Sequence, residues 1–284
     1  LMVGKQDIEK TITWAKINRI PFSQDKEHIP DKISVSADAV FLPDIAQVRP
    51  SRLLKALRKS LDINGVSVFE NSEVSDIEIV NNEFKSIKYK NKKLSAGSLV
   101  ITAGAWSSEL LSKIIQTIKV KPVRGQMLCL WTERQRFNAI ILDGGNYLIP
   151  RSDGHLLIGS TMEDTGFVNQ TTIDAKNGLL NWGYSVWPDL LNAKFVKHWA
   201  GLRPATKEGK PFIGPLTGVK GIYLNTGHFR KGILQAPLSA RLLVNYLFKR
   251  PMSLDIRLFS SVKSQENAKN TSINDNKSYL GSTL

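Results

Sequence analysis

The sequence predicts a mixed fold of helices and strands, of the α+β or α/β class, from two observations. Residues 51–115 follow the order helix, strand, hairpin, buried strand, helix, whereas residues 121–198 show the short strands and turns of an antiparallel sheet with one covering helix. The length of 284 residues allows one large domain or two interleaved domains. The change of pattern near residue 120 favours two kinds of architecture within one chain.

The first part begins with a helix predicted at Arg52–Asp62, where apolar residues recur at helical spacing and Ser51 can cap the N-terminus. A continuous apolar run at Ser98–Thr102 is typical of a strand buried on both faces. Ser107 can then cap a helix that extends to Ile115. Between the two helices, three short strands are predicted, the last two joined by an Asn-Asn turn: Val66–Phe69, Val74–Val80 and Phe84–Tyr89.

The later elements are predicted from the same kinds of pattern. The chain beyond residue 260 is rich in Ser, Asn and Lys, which is typical of a disordered tail. Strands are expected at Lys121–Trp131, Tyr147–Pro150 and His155–Ser160, and helices at Asp174–Trp187 and Ile233–Phe248.

The net charge of +14 suggests a nucleic-acid partner at first, but its distribution argues against one. Residues 199–250 hold nine basic residues and one acidic residue, yet they contain Gly/Pro motifs and no nucleic-acid-binding motif. A site for small anions explains this basicity equally well. The sequence shows neither a transmembrane run nor an N-terminal signal, and it has a single cysteine, Cys129, so a cytoplasmic protein is expected.

Three segments contain the candidate site residues: Tyr147–Met162, Trp199–Gly214 and Asn225–Pro237. In the second segment, Arg203 stands between Gly201 and Pro204, a frame that suits a carboxylate clamp. The alternative is a structural arginine paired with an acid.

The third segment has Gly227 and Gly232 on either side of four residues that precede a helix. Glycines let the backbone approach a ligand, and helix N-terminal amides favour negative charge, so this turn suits an anionic cofactor edge. A tight solvated turn is the alternative. Tyr147 and Met162 fit either a site or, by default, the core. His155 and His198 are interpreted as structural, since neither has an acidic or Cys partner at useful spacing.

Taken in this order, the segments resemble the FAD-dependent D-amino-acid oxidase family, and most closely its glycine-oxidising members. Two further stretches, Val100–Ser107 and Pro122–Gln126, are similar to that family's "AxGxWS" strand end and its PV-[KR]-G-[QE] strand. The resemblance extends from about residue 1 to residue 250. It implies the C-terminal part of a flavoprotein, in which an incomplete FAD-binding domain is interleaved with an antiparallel-sheet substrate domain.

The resemblance also implies roles for individual residues. Arg203 would clamp the substrate carboxylate, Tyr147 would close the site with its hydroxyl, and Met162 would form part of an apolar wall. Arg230 would lie near both substrate and flavin. The FAD-binding residues implied are Val74, His228, Phe229, Arg230, Lys231, Gly232, Ile233 and Leu234.

The implied activity is the oxidative deamination of glycine or a small amine or amino acid, for thiamine biosynthesis. Hydride would pass from Cα to flavin N5, the imine would be hydrolysed, and O₂ would be reduced to H₂O₂. Three alternatives stay open: a D-amino-acid dehydrogenase with a membrane electron acceptor, a truncated non-catalytic remnant, and nucleic-acid or membrane binding through the charge. The oligomeric state is open too, a homo-oligomer included.

The same resemblance divides the chain into segments. It places the substrate domain at 1–43 and 121–198, the FAD domain at 44–120 and 199–259, and the tail at 260–284. The family begins with a G-x-G-x-x-G turn that holds the FAD pyrophosphate. None of the 20 glycines stands in that spacing, so we expect the chain to correspond to the part of a longer protein that follows this turn.

Overall fold

The computed structural model describes residues 2–3, 8–25, 33–34, 39–133 and 137–260. The chain folds into two compact units, and each is discontinuous in sequence. Unit 1 takes the described residues up to Gln47 together with Arg124–Leu202, and unit 2 takes Val48–Val123 together with the described residues from Arg203 onward.

The described residues form five α-helices and thirteen strands, numbered along the chain. The helices are α1 (Ile8–Asn18), α2 (Pro50–Ile63), α3 (Ser107–Leu111), α4 (Ile173–Val186) and α5 (Gly232–Leu247). The strands are β1 (Met2–Val3), β2 (Val40–Phe41), β3 (Val74–Val80), β4 (Glu83–Tyr89), β5 (Lys92–Ser95), β6 (Leu99–Ile101), β7 (Val120–Trp131), β8 (Ile141–Asp143), β9 (Asn146–Pro150), β10 (His155–Gly159), β11 (Lys194–Thr206), β12 (Phe212–Pro215) and β13 (Ile222–Thr226).

Unit 1 is organised around a seven-stranded sheet of order β11-β7-β10-β9-β8-β1-β2. Neighbouring strands β7, β10 and β9 are antiparallel, and their apolar side chains, such as Leu128, Leu148 and Ile158, are fully buried. Helix α4 packs on this face through Leu179, and Trp187 at its end stacks edge-on against Phe137. Buried and partly exposed residues alternate along β9 and the first part of β10, as one covered sheet face requires, whereas β7 is buried over most of its length.

Unit 2 contains two three-stranded sheets, β12-β13-β6 and β3-β4-β5. Strands β13 and β6 are parallel, so their carboxyl ends lie at the same edge of the sheet. One core cluster joins both sheets through residues such as Phe84, Ile101 and Ile222. A second cluster packs α5 against β12 through Ile213 and Leu242. Helix α2 is amphipathic in sequence, yet none of its residues is buried.

Several predicted elements are confirmed within a residue or two. The hairpin β3–β4 turns at Asn81 and Asn82, both of which adopt positive φ as a tight turn requires. The strands predicted in the middle of the chain correspond to β7, β9 and β10. The three longer predicted helices correspond to α2, α4 and α5.

Four predictions are wrong in detail. Val66–Phe69 is not a strand, because none of the sheets of the described residues includes it and its side chains are exposed. β6 is not buried on both faces, since Val100 is 38% exposed beside the buried Ile101. Arg49, rather than Ser51, precedes α2 as its N-cap. α3 ends at Leu111, not at Ile115.

The pattern analysis did not identify α1, β1, β2, β5, β8, β11, β12 or β13. Most of these are short strands, which adopt a regular extended conformation only when they pair with a neighbouring strand. The predicted tail lies outside the described residues beyond residue 260.

Candidate active site

The turn between β13 and α5 depends on glycine. Gly227 has a φ of 81°, and a Cβ built on it would approach Thr206 Cγ2 to 2.6 Å. Any side chain here would therefore meet both the left-handed backbone penalty and a steric clash. Phe229, two residues on, also has positive φ at 51°. A non-glycine residue with positive φ indicates a backbone conformation that the surrounding structure holds in place. Such conformations are common at ligand sites.

Three buried polar atoms along this turn have no hydrogen-bond partner among the described residues: Asn225 Oδ1, His228 Nε2 and Gln235 Oε1. Burial also lowers the pKa of His228, so its ring is neutral at neutral pH. A buried polar atom without a partner is costly unless a ligand supplies one. The turn therefore offers a set of donors and acceptors to a bound molecule.

The first turn of α5 is open to a ligand as well. Lys231 precedes the helix and makes no capping hydrogen bond with its side chain. A Cβ at Gly232 would come no closer than 3.7 Å to its neighbour, His228 Cβ, so the approach is not crowded. Free amides and the positive end of the helix dipole favour electron-rich groups at this position.

The strand end after β6 is bonded to the same turn. Ser107 Oγ lies 2.8 Å from the carbonyl oxygen of Gly104 and 2.7 Å from Thr226 Oγ1, the last residue of β13. The stretch Val100–Ser107 and the turn after β13 therefore meet at the carboxyl ends of two parallel strands. In open α/β sheets this edge is the usual place for a ligand.

Arg203 and Arg230 both belong to unit 2 and are both partly buried. Arg203 lies within the continuous strand β11, so Gly201 and Pro204 frame it as strand residues. Thr206, three residues further along β11, touches Gly227, which brings this strand beside the turn that carries Arg230. Unit 2 thus groups the predicted clamp, the second arginine and the His228–Leu234 segment.

Unit 1 contains Tyr147 and Met162. The Tyr147 ring faces Gly159 so closely that a Cβ there would come within 2.9 Å of it. Its hydroxyl donates to the thioether sulfur of Met127 at 3.5 Å, and a thioether is a weak acceptor that a polar ligand can replace. Met162 is 61% exposed, so the default interpretation that it packs in the core is wrong.

A buried polar network fixes the chain on both sides of Met162. Arg124 pairs with Glu163 and donates to the carbonyl oxygen of Gln170 at 2.9 Å. Gln126, fully buried, donates to Glu163 at 2.9 Å and accepts from the amide of Thr172 at the start of α4. Burial alone raises the pKa of Glu163, but hydrogen bonds from Thr161, Arg124 and Gln126 outweigh it and lower the pKa.

The other predicted residues have simpler surroundings. Val74 begins β3, in the other sheet of unit 2, and packs against the core of that unit. His155 Nδ1 lies 2.9 Å from Asp153 Oδ1, so the expectation that it lacks an acidic partner is wrong. No cluster of metal-ligating side chains is found among the residues that the structure describes. Within that same part of the chain, no helix is long and apolar enough to cross a membrane.

Comparison with known proteins decides the family. The model of the family described as "DAO: FAD dependent oxidoreductase" matches residues 8–246. The chain belongs to this family of FAD-dependent oxidoreductases.

Two relatives show how far the family likeness extends along the chain. Glycine oxidase of Pseudomonas aeruginosa is 34% identical over 255 residues, which cover 88% of this chain and 70% of that protein. A Synechocystis protein named bifunctional protein ThiO/ThiG is 30% identical over 77% of this chain and 33% of its own length.

The solved structures agree with this assignment. The structure of glycine oxidase from Bacillus cereus superposes with a TM-score of 0.84 at 27% identity, over 94% of this chain and 76% of that one. The predicted fold class of a D-amino-acid-oxidase-like flavoprotein is therefore confirmed, as is an enzyme of the FAD-dependent amino-acid oxidase type.

The residues present fit the FAD that this family of oxidoreductases uses. The ring edge of a flavin carries both hydrogen-bond donors and acceptors, and the unpartnered atoms of Asn225, His228 and Gln235 could bind such an edge. The uncapped start of α5 suits the electron-rich part of the same ring. Gly232 leaves room for close approach.

Sequence reasoning missed Asn225 and Gln235 as site candidates in this FAD-dependent oxidoreductase. A signal was present for each, since Asn225 directly precedes the Thr-Gly-His turn and Gln235 interrupts an apolar helix. Neither signal separates a ligand contact from a solvated side chain. Burial without a partner is the property that separates them, and only the folded structure contains it.

Proposed function

We propose that the protein oxidises glycine or another small amine or amino acid with FAD as cofactor and O₂ as electron acceptor, in the service of thiamine biosynthesis. We further propose that unit 1 is the substrate domain and unit 2 the FAD domain, and that the protein works in the cytoplasm. The observation that supports the proposal most is the set of three buried, unpartnered polar atoms at the turn into α5. The glycine oxidases among the relatives support the choice of substrate class.

Arg203 is the proposed carboxylate clamp. Its guanidinium can donate two parallel hydrogen bonds to a carboxylate, and β11 holds the backbone in a fixed direction. Such a clamp orients the Cα–H bond of the substrate, and orientation supplies much of the rate enhancement in reactions of this kind. Bound FAD would supply the redox chemistry.

For the remaining residues we propose the roles that the family resemblance implies. Tyr147 can exchange its weak bond with the Met127 sulfur for a bond with a polar substrate group. Met162 would present an apolar surface, which its exposure allows. Arg230 would add positive charge near the substrate, while Val74 and the His228–Leu234 segment would bind the flavin.

The test begins with reconstitution of the purified 284-residue chain with FAD. The proposal predicts a yellow protein that consumes O₂ and forms H₂O₂ with glycine, sarcosine or D-alanine. Arg203→Ala should lower kcat/KM by about a thousandfold, because the clamp is charge-assisted and bidentate, while flavin absorbance is retained. Arg257→Ala, which removes an exposed arginine paired with Asp255, is the matched control and should leave turnover unchanged.

Other outcomes favour other functions. Reduction of a quinone analogue without formation of H₂O₂ would indicate that the protein is a dehydrogenase rather than an oxidase. A folded but colourless chain would favour the non-catalytic remnant. Normal turnover in Arg203→Ala would refute the clamp and leave the family assignment intact.

A further inference from the structure

A cavity lies entirely within unit 2, and none of the proposed site residues lines it. Its volume is about 750 Å³, which is in the range of small-molecule sites. It is lined by α3 and the loop that follows it, by the start of β7, and by the end of β11 together with Lys207. Neither the substrate clamp nor the turn into α5 forms part of its wall.

The inner wall of this cavity is apolar. Ile115, Val120 and Ala205 line it, and the last two are buried. The hydroxyl groups of Ser108 and Thr206 in the wall already form hydrogen bonds within the protein. Ser108 Oγ donates to the carbonyl oxygen of Ile118 at 2.9 Å, and Thr206 Oγ1 donates to that of Lys210 at 2.7 Å. The wall therefore suits the hydrocarbon part of a ligand.

The outer wall is cationic. Lys119, Lys121 and Lys207 line the cavity, and no carboxylate appears in its lining as described. Lys119 and Lys207 are exposed, and neither has an ion-pair partner among the described residues. Ammonium groups at the rim of an apolar cavity attract a single anionic head group, with the head partly in water and the body buried.

We propose that this cavity is a second binding site, which takes a small amphipathic anion. The apolar body lies against Val120 and Ala205, and a carboxylate or phosphate head faces Lys119 and Lys207. The proposal does not rest on the oxidase activity, because binding is measured without amino-acid substrate. Its failure would therefore leave the proposed function untouched.

The test is calorimetric titration of the 284-residue chain with octanoate and with octyl phosphate. Acetate and inorganic phosphate, which have the head groups alone, are the comparison. We expect at least one long-chain ligand to bind about tenfold more tightly than its head group, since the apolar body contributes burial energy. The tighter of the two long-chain ligands identifies the head group.

Two variants locate the site. The double variant Lys119→Gln with Lys207→Gln should bind the tighter of the two long-chain ligands about tenfold more weakly, because two positive charges are removed. Ser112→Trp, at an exposed position in the lining, should abolish binding by filling the cavity. The control pair Lys55→Gln with Lys59→Gln on α2 removes the same charge elsewhere and should change nothing.

The proposal is overturned if neither long-chain ligand binds at millimolar concentration. It is also overturned if the control pair weakens binding as much as the lysine pair, or if Ser112→Trp binds normally. Circular dichroism of each variant shows that it is folded, so that a loss of binding is assigned to the site.

Discussion

Arg124 and Glu163 form an ion pair whose two members differ in burial. The arginine side chain is only 6% exposed, whereas the glutamate side chain is 25% exposed. Both Nε and Nη2 of Arg124 donate to the same oxygen, Glu163 Oε2, the Nε bond at 3.1 Å. It joins β7 to the segment after β10 within unit 1, and it holds the chain on one side of Met162.

Breaking this pair should destabilise the fold. Arg124→Met leaves Glu163 without its cation and the Gln170 carbonyl without a donor, so the free energy of unfolding should fall by about 2–4 kcal/mol. Urea denaturation measures the change. Lys85→Met, which breaks the exposed pair with Glu83, is the control and should have a much smaller effect because surface pairs contribute little. Equal effects of the two substitutions on the free energy of unfolding would contradict the conclusion that the Arg124–Glu163 pair stabilises the fold more than an exposed pair does.

Glu163 should make stability depend on pH in the acid range. Its folded pKa is below the reference value of 4.5, so the unfolded chain takes up the proton first. The stabilisation is therefore present above pH 4.5 and is lost as the pH falls through the folded pKa. Unfolding free energies of the wild type and Glu163→Gln, measured between pH 7 and 3, should converge on the acid side. A constant difference across that range would refute the assignment.

Gly227 should tolerate no side chain. Gly227→Ala combines positive φ with a clash against Thr206, and we expect a loss of about 2–4 kcal/mol in the free energy of unfolding. Gly218→Ala is a matched control, since Gly218 has a φ of 84° and open space around it, and should cost about 1 kcal/mol. Adding Thr206→Ser removes the clashing methyl, so the cost of Gly227→Ala should fall to about that of Gly218→Ala. Failure of this rescue would exclude the clash as the cause.

His228 should weaken the fold as the pH falls. Burial lowers its pKa, so the unfolded chain binds a proton near pH 6.5 while the folded chain does not. Stability from this residue is therefore complete above pH 6.5 and is lost as the pH falls through the folded pKa. His228→Gln should flatten the pH dependence of thermal stability between pH 7 and 5. The pKa of His198 in unit 1 is also lowered, first by burial and then by Lys176. His198 should therefore also make the fold less stable as the pH falls.

Local chemistry alone predicts some of this structure and not the rest. The β3–β4 hairpin follows from Asn81 and Asn82, because both residues adopt positive φ readily. Val66–Phe69 has an equally good strand pattern but pairs with no strand of the described sheets. A strand needs a neighbour, and a single segment does not specify one.

The sequence by itself determined the family, the amphipathic helices and the motifs around Arg203 and His228, because these depend on residue order and short-range spacing. Only the tertiary structure decided that Glu163 and Thr172 share one hydrogen-bond network around the buried Gln126. Only it showed that Asn225, His228 and Gln235 bury polar atoms without partners. Burial and pairing depend on residues distant in sequence, so they are properties of the folded chain.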